Sequence, residues 1–309
     1  MSAPASVPTT LDVVYTWVDG AWPGYAAVQQ RHSPTPLDLN PERYRDAHQL
    51  LRYSLRSLER FCPWVGRVFL LTMRPQVPAW LRRDHPKVRL VHHDEIMDPA
   101  ILPTFNCNTI ESHLHQIPGV SPRFLYLNDD FLFGRATAPA DFFADDGRIR
   151  VFGSLAGERL PFRIFDGRLR FISLGFIEHA PILVDRDLFA AAIASRPAEI
   201  AATRARRFRH DAQVRADFLY RYHLLARCRD RAVAEPFWRL LRYHRFHKIR
   251  QNPDTEARAF ARLRALRPKF YCLNDDQGDA PNPTVNALVR DFLQELYPQP
   301  SSFEQAGNS

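Results

Sequence analysis

Lysine is nearly missing from this sequence. Lys87, Lys248 and Lys269 are the only three among 42 basic residues, so arginine carries the positive charge, and arginine grips phosphate with a planar two-pronged fork. Cysteine is scarce too. Cys62, Cys107, Cys228 and Cys272 lie scattered without a CxxC pair, which argues against a disulfide framework or zinc site and for a reducing compartment. No apolar run approaches the ~18 residues of a membrane span. Residues 1–10 lack the basic start and apolar stretch of a signal peptide. Walker A, GxGxxG and GxSxG patterns are missing, against a P-loop NTPase, a Rossmann dehydrogenase or an α/β-hydrolase. The expectation is a soluble cytoplasmic protein, with peripheral contact at the inner membrane face left open.

What is present describes an ordinary globular chain: 309 residues, 45% hydrophobic and 25% charged. That length supports one large α/β domain or two small ones. The net charge of +8 and pI of about 9.6 favour anionic partners. Codon bias in a GC-rich genome gives the same surplus, so charge alone decides nothing. No linker is long enough to split the chain. We expect a single catalytic domain over 1–299, with a helical, arginine-rich subregion at about 185–267, and a flexible tail over 300–309.

Residues 11–17, 67–72, 87–92 and 123–127 read as buried strands, and 49–61 carries leucines at helical spacing. The proline-rich stretch 25–41 reads as a loop, and 80–84 as a short helix. Asn108 with Glu111 three residues on resembles a capping box, predicting a helix over 108–117. Beyond Gly134, 148–152, 168–174 and 269–273 read as strands, and 185–194, 212–226 and 255–266 as helices. Strands alternating with helices predict an α/β fold, Rossmann-like, with a largely parallel sheet and helices on both faces.

Two aromatic strands, one in each half, both end in Asn-Asp-Asp, at 128–130 and 274–276. Ligands of open α/β sheets bind beyond the carboxyl ends of strands, and Asp19 also follows a strand. Converging carboxylates repel unless a cation relieves them, and an all-oxygen set suits Mg²⁺ or Mn²⁺. Turn chemistry gives the same tripeptide, but a matched pair favours a site. Asn106, Asn108, Glu111, His113 and His115 cluster around a helix N-terminus, where free N–H groups favour anions. His113 and His115, two apart, do not share a helix face. His179, just past a strand, fits a general base, although a lone histidine is more often structural. The basic run 203–211 (TRARRFRHD) reads as a solvated face or as an arginine clamp on phosphate.

Together these segments resemble the Stealth family, hexose-1-phosphate transferases of bacterial capsular polysaccharide synthesis, to which the animal lysosomal-enzyme GlcNAc-1-phosphotransferase is related. Four blocks in family order carry the resemblance. They are 11–20 (LDVVYTWVDG); Arg43 with 52–64 (RYSLRSLERFCPW) and 102–134; 178–181 with 203–211; and 270–276 (FYCLNDD). The resemblance implies a metal-assisted transfer of sugar-1-phosphate from a UDP-sugar to an acceptor hydroxyl, with release of UMP and a UDP-GlcNAc-like donor. It puts His179 on the family's catalytic histidine and Arg209 on its essential arginine, with Arg207 as the fallback. It puts Asp129, Asp130, Asp275 and Asp276 on acidic positions, as catalytic or metal-binding candidates. Candidates for binding substrate are Asp19, Arg52, Asn106, Asn108, Glu111, His113, Asn128 and Asn274. Two departures stand out: Asp46 aligns with the family's acidic stretch only after a one-residue shift, and Cys107 replaces an expected serine. The competing readings are a metal-dependent glycosyltransferase releasing UDP and a non-catalytic anion- or nucleic-acid-binding protein; no nucleic-acid partner is expected.

Overall fold

The computed structural model describes residues 7–33, 44–154, 160–163, 169–172, 175–176, 179–210, 212–235 and 243–306, with the side chains of 153–176 excepted. Arg43, Glu178, Asp211, residues 34–41 of the expected loop, the ends of the expected strand 168–174, and 307–309 lie outside the described residues.

Four apolar runs become strands β1 (Leu11–Thr16), β2 (Val65–Thr72), β3 (Val88–His92) and β4 (Arg123–Asn128). They pair in parallel in the order β4-β1-β2-β3. Near-continuous hydrophobic runs such as Val13–Tyr15 are what a parallel sheet, buried on both faces, requires. After β4 the chain makes short strands β5 (Phe131–Phe133), β6 (Ile149–Val151), β7 (Gly153–Ser154), β8 (Leu160–Arg163), β9 (Leu169–Ile172) and β10 (Gly175–Phe176). Then β11 (Ile182–Asp185) closes the main sheet against β4, antiparallel to it. Sequence reading missed β11: four residues carry too little pattern to separate a strand from a turn.

A second sheet joins the two halves of the chain. After β12 (Ala232–Ala234), β13 (His244–Ile249) runs parallel to β14 (Phe270–Asp275), and β14 runs antiparallel to β5. The tripeptide 128–130 is therefore the passage from one sheet to the other. Because β14 opposes β5, with Cys272 across from Phe131, its own Asn-Asp-Asp end returns beside Asp130. Gly134, just past β5, permits this approach: a Cβ there would sit 2.3 Å from the Pro268 carbonyl oxygen.

Helix α2 (Leu50–Phe61) follows α1 (Tyr25–His32) and buries Leu51, Leu55 and Leu58 in the main core. Later helices are α3 (Cys107–Glu111), α4 (Arg186–Ala194), α5 (Pro197–Arg204), α6 (Ala216–Arg227), α7 (Pro253–Leu266) and α8 (Pro283–Leu296). The last two cover the second sheet with Phe260, Leu263, Val289 and Phe292. No helix among the described residues is long and apolar enough to cross a membrane.

Four local expectations are corrected. Residues 25–32 form a helix, because Tyr25 anchors on Tyr44 and Phe105 and the prolines flank this stretch rather than interrupt it. Residues 80–84 are turns and a bridge, with Leu81 pairing with Glu304. The cap of α3 is Asn106, whose side chain accepts from the Asn108 N–H at 3.1 Å, and α3 stops at Glu111. The expected frayed tail is docked up to Ala306: Ser301, Phe303 and Glu304 are buried.

Glu304 fixes that segment. Its carboxylate accepts from Arg56 Nε at 2.7 Å and also pairs with Arg52, and its side chain is 2% exposed. Burial opposes this charge, but bonds from Arg56, the Ser301 N–H and Arg52 outweigh it and pull the carboxyl down to about 2. A depressed carboxyl stabilises the fold fully above its unfolded value and loses that contribution as pH falls toward 2. Glu304→Ala leaves the buried Arg56 charge without its counterion. We expect a loss of about 3–5 kcal/mol in urea unfolding near neutral pH, and a shallower decline of stability below about pH 4.5 than in the parent chain.

Candidate active site

Parallel strands deliver their carboxyl ends to one edge, and β11, being antiparallel, delivers the residues before its start to that same edge. A cavity of about 470 Å³ opens there. Thr16, Leu71, His93 and Asn128 from the strand ends, His179 from before β11, and Asn274 from β14 all line it.

The acidic wall centres on His179 and Asp130. His179 Nδ1 lies 2.9 Å from the Asp130 carboxylate. Asp130 also accepts from Asn274 Nδ2 at 3.1 Å and from the Cys272 thiol. Burial opposes the Asp130 charge, but the His179 ring and these donors hold it below the ordinary carboxylate value. His179 has a left-handed backbone, φ 48°, which costs a non-glycine residue roughly 1–2 kcal/mol. Its carbonyl accepts from His244 Nε2 at 3.0 Å, and its ring packs on Phe246, 5.4 Å between centroids. A strained residue held on several sides beside a cavity is the pattern of a working site.

Asp129 and Asp46 add to this wall. Burial first, then the charges of Asp130 and Asp46, push the Asp129 carboxyl well above its ordinary value. Asp46 accepts from Trp17 Nε1 at 3.0 Å and from the N–H of Leu50 at the start of α2. Burial pushes its carboxyl up to about 7 despite the Trp17 bond. Asp275 and Asp276 line the same cavity but are already neutralised. Asp275 pairs with Arg45 at 2.9 Å, and Asp276 with Lys248 at 3.4 Å.

A second group in the lining carries Arg209, Arg215 and Arg221 together with Asp217. The loop between α5 and α6 is pinned onto the segment before α3: Phe105 N–H donates to the Arg207 carbonyl at 2.7 Å, and Phe208 stacks on Phe105 at 5.0 Å. This brings Arg209 into the cavity. Among the described residues the Arg209 guanidinium has no hydrogen bond or ion pair. Arg207 points elsewhere, donating to the Pro103 carbonyl at 2.9 Å, so Arg209 is the arginine aimed at the site. Behind it, Asp217 binds Arg221 at 2.7 Å and Arg215 at 3.4 Å.

Glu111 lines the cavity beside Asp217, Arg215 and Arg209, accepting from Tyr126 Oη at 3.1 Å. Burial, then the charge of Asp217, push its carboxyl up to about 7. A raised carboxyl penalises the fold as pH rises: the penalty grows from the unfolded value near 4.5 to about 7 and is constant above. Glu111→Gln removes it. We expect a melting temperature higher by a few degrees at about pH 8 and nearly unchanged at about pH 4.5, together with lower activity.

Four candidates sit outside the cavity. Arg52 is held by Glu304 and by Gln49 Oε1 at 3.2 Å. Asn106 is fully buried as the α3 cap, donating to the Arg206 carbonyl at 3.0 Å. His113 Nδ1 binds the Thr109 carbonyl at 2.8 Å. The Asp19 carboxylate accepts from the Ala21 N–H at 2.8 Å and caps a turn. Their bonding groups serve local structure. Residues that sequence reading missed include Arg45, His48, Arg215, Asp217, Arg221, Phe246, Lys248 and Cys272, while Asp46 had been set aside. The Asp217–Arg221 pair at i,i+4 was the one readable signal.

The fold and site thus define a class: an α/β protein in which a histidine–aspartate pair and an arginine without a hydrogen bond or ion pair among the described residues line one cavity at the strand ends. A model described as Stealth protein CR2, conserved region 2, matches residues 43–151, and one described as Stealth protein CR4, conserved region 4, matches 261–309. The chain belongs to the Stealth family. It is 35% identical to an exopolysaccharide phosphotransferase of Streptomyces coelicolor over 98% of this chain and 53% of the relative. It is 30% identical to the exopolysaccharide phosphotransferase CpsY of Mycobacterium tuberculosis over 96% of this chain and 58% of that one. It is 28% identical to the capsular polysaccharide phosphotransferase SacB of Neisseria meningitidis serogroup A, over 96% and 57%. The chain spans about half the length of these curated relatives.

Proposed function

We propose that the protein transfers a hexose- or N-acetylhexosamine-1-phosphate from a UDP-sugar to an acceptor hydroxyl, releasing UMP, in the synthesis of a cell-surface or capsular polysaccharide. The observation that carries this is that the His179–Asp130 pair and Arg209 line one cavity. The names of the relatives support it.

The acceptor hydroxyl attacks the sugar-linked phosphorus; the bond from anomeric carbon to oxygen is untouched, so the anomeric configuration is kept. Asp130 fixes the His179 ring through Nδ1, and Nε2 takes the acceptor's proton. Arg209 meets the charge developing on the phosphoryl oxygens. The acidic wall fits Mg²⁺ or Mn²⁺. Asp129 and Asp46 are buried oxygen donors crowded by like charge, which a hard divalent cation relieves, whereas Asp275 and Asp276 already face cations of the chain. Bound there, the ion supplies positive charge for the phosphoryl oxygens. Asn128, Asn108 and Asn274 line the cavity as donors for sugar or nucleotide.

The test is the identity of the leaving nucleotide. With Mg²⁺ or Mn²⁺, a panel of UDP-sugars and cell-envelope glycan, we expect UMP, lost on chelation. Release of UDP instead would mean attack on the anomeric carbon and an ordinary glycosyltransferase.

A further inference from the structure

We infer that Asp130, His179 and Cys272 form a binding site for a soft divalent cation, Zn²⁺ by chemistry, whose occupation switches the enzyme off. The site itself rests on three side chains; that its occupation inhibits rests on the proposed role of His179 as the base.

One oxygen of Asp130, one ring nitrogen of His179 and the sulfur of Cys272 all lie within 4.8 Å of one another, and Nδ1 is 2.9 Å from the carboxylate. Zinc bonds of about 2.0–2.3 Å place tetrahedral donors roughly 3.3–3.8 Å apart. The three groups therefore need only small side-chain rotations to surround an ion.

The fold explains why they meet. On β14, Tyr271 and Leu273 enter the second core, so Cys272 and Asn274 share the opposite face, where both bond Asp130. β5 begins one residue after Asp130 and pairs with β14 at Cys272. His179 arrives from the main sheet on its left-handed turn. Each donor thus comes from a different part of the chain, and each is held by packing.

The donors' chemistry separates this site from the hard-cation wall. A mixed nitrogen, oxygen and sulfur set suits Zn²⁺, whereas Mg²⁺ selects oxygen. A carboxylate, a thiolate and a neutral imidazole balance the charge of a divalent ion; the thiol proton leaves to solvent as the ion binds. Asp130 and His179 line the cavity, so an ion enters from that side, and water or substrate fills the fourth position. Asn274 already holds Asp130 from outside, as outer partners of metal ligands do. An ion here takes Nδ1 away from Asp130 and fixes the base to the metal, which is why occupation inhibits.

Titrating the full chain with Co²⁺ tests this optically. We expect a thiolate-to-cobalt charge-transfer absorption that saturates at one equivalent and is displaced by Zn²⁺. Cys272→Ser should abolish the absorption. His179→Ala, a second variant should serine at a buried position disturb folding, should weaken Co²⁺ binding by at least about tenfold. Zn²⁺ should inhibit donor turnover in excess Mg²⁺, with the sensitivity falling at least about tenfold in Cys272→Ser. Failure to see thiolate absorption in the parent chain, or absorption and affinity unchanged in both variants, would overturn the inference. Because the optical reading needs no turnover, it decides this site even if the transfer reaction proves wrong.

Discussion

His179→Ala is expected to lower turnover by about 10²–10⁴-fold while leaving the dissociation constant for the nucleotide-sugar within about threefold of the parent's. The split follows from geometry. His179 sits at the acidic wall, its Nδ1 committed to Asp130, and in the proposed reading it serves as proton acceptor rather than phosphate ligand. In the proposed reading the donor phosphates are held at Arg209, which lines the same cavity. Asp130→Asn should cost a comparable factor, because an amide no longer fixes the ring tautomer that presents Nε2 as the base. Single-turnover rates and calorimetric donor binding, measured on the same preparations, check both. If His179→Ala lost donor binding while turnover of bound donor survived, the histidine would be a binding residue and the proposed chemistry would fall.

Arg209→Ala is expected to reduce kcat by about 10²–10³-fold. Donor binding should weaken as well, since the same guanidinium meets phosphate before the reaction. Among the described residues the Arg209 guanidinium makes no hydrogen bond or ion pair, and Cys107 and Glu111 act on it only through space. Arg215 and Arg221 are tied to Asp217. Arg209→Lys should recover part of the loss, because a point charge replaces the fork without its two-pronged fit. Arg207→Ala is the control. Its guanidinium ties the loop to the Pro103 carbonyl, so it should lower stability more than kcat. Equal losses of kcat from both substitutions would show that the loop, not Arg209, is what matters.

The sequence displayed the site's spine more clearly than its flanks. The paired Asn-Asp-Asp ends were legible because strand ends in α/β folds have a known address, and their convergence follows from β5 opposing β14. His179 and Arg209 came from family resemblance; no periodicity marks a residue on a left-handed turn or in a pinned loop. Asp46 was set aside on a one-residue shift, and it lines the cavity all the same, with Gln49 at φ 50° leading into α2. Arg52, Asn106 and His113 lie outside the cavity lining, because the motif that carries them also contains residues that hold local structure. Asn106 caps a helix, and Arg52 receives a glutamate 252 positions away, a partner that no local pattern announces. Asp275 and Asp276 line the cavity, but the sequence could not show that Arg45 and Lys248 reach them from other elements.

The passage between sheets at 128–130 also sets a timetable. Asp130 emerges from the ribosome long before Asn274, its partner 144 residues later, and before His179 and Arg209. Through much of synthesis, the first half carries its crowded carboxylates with none of these partners in place. Contacts this distant in sequence form late and slowly. Activity should therefore return during refolding with the global transition and lag behind the recovery of helical signal. The first half made alone would carry an acidic edge without a base.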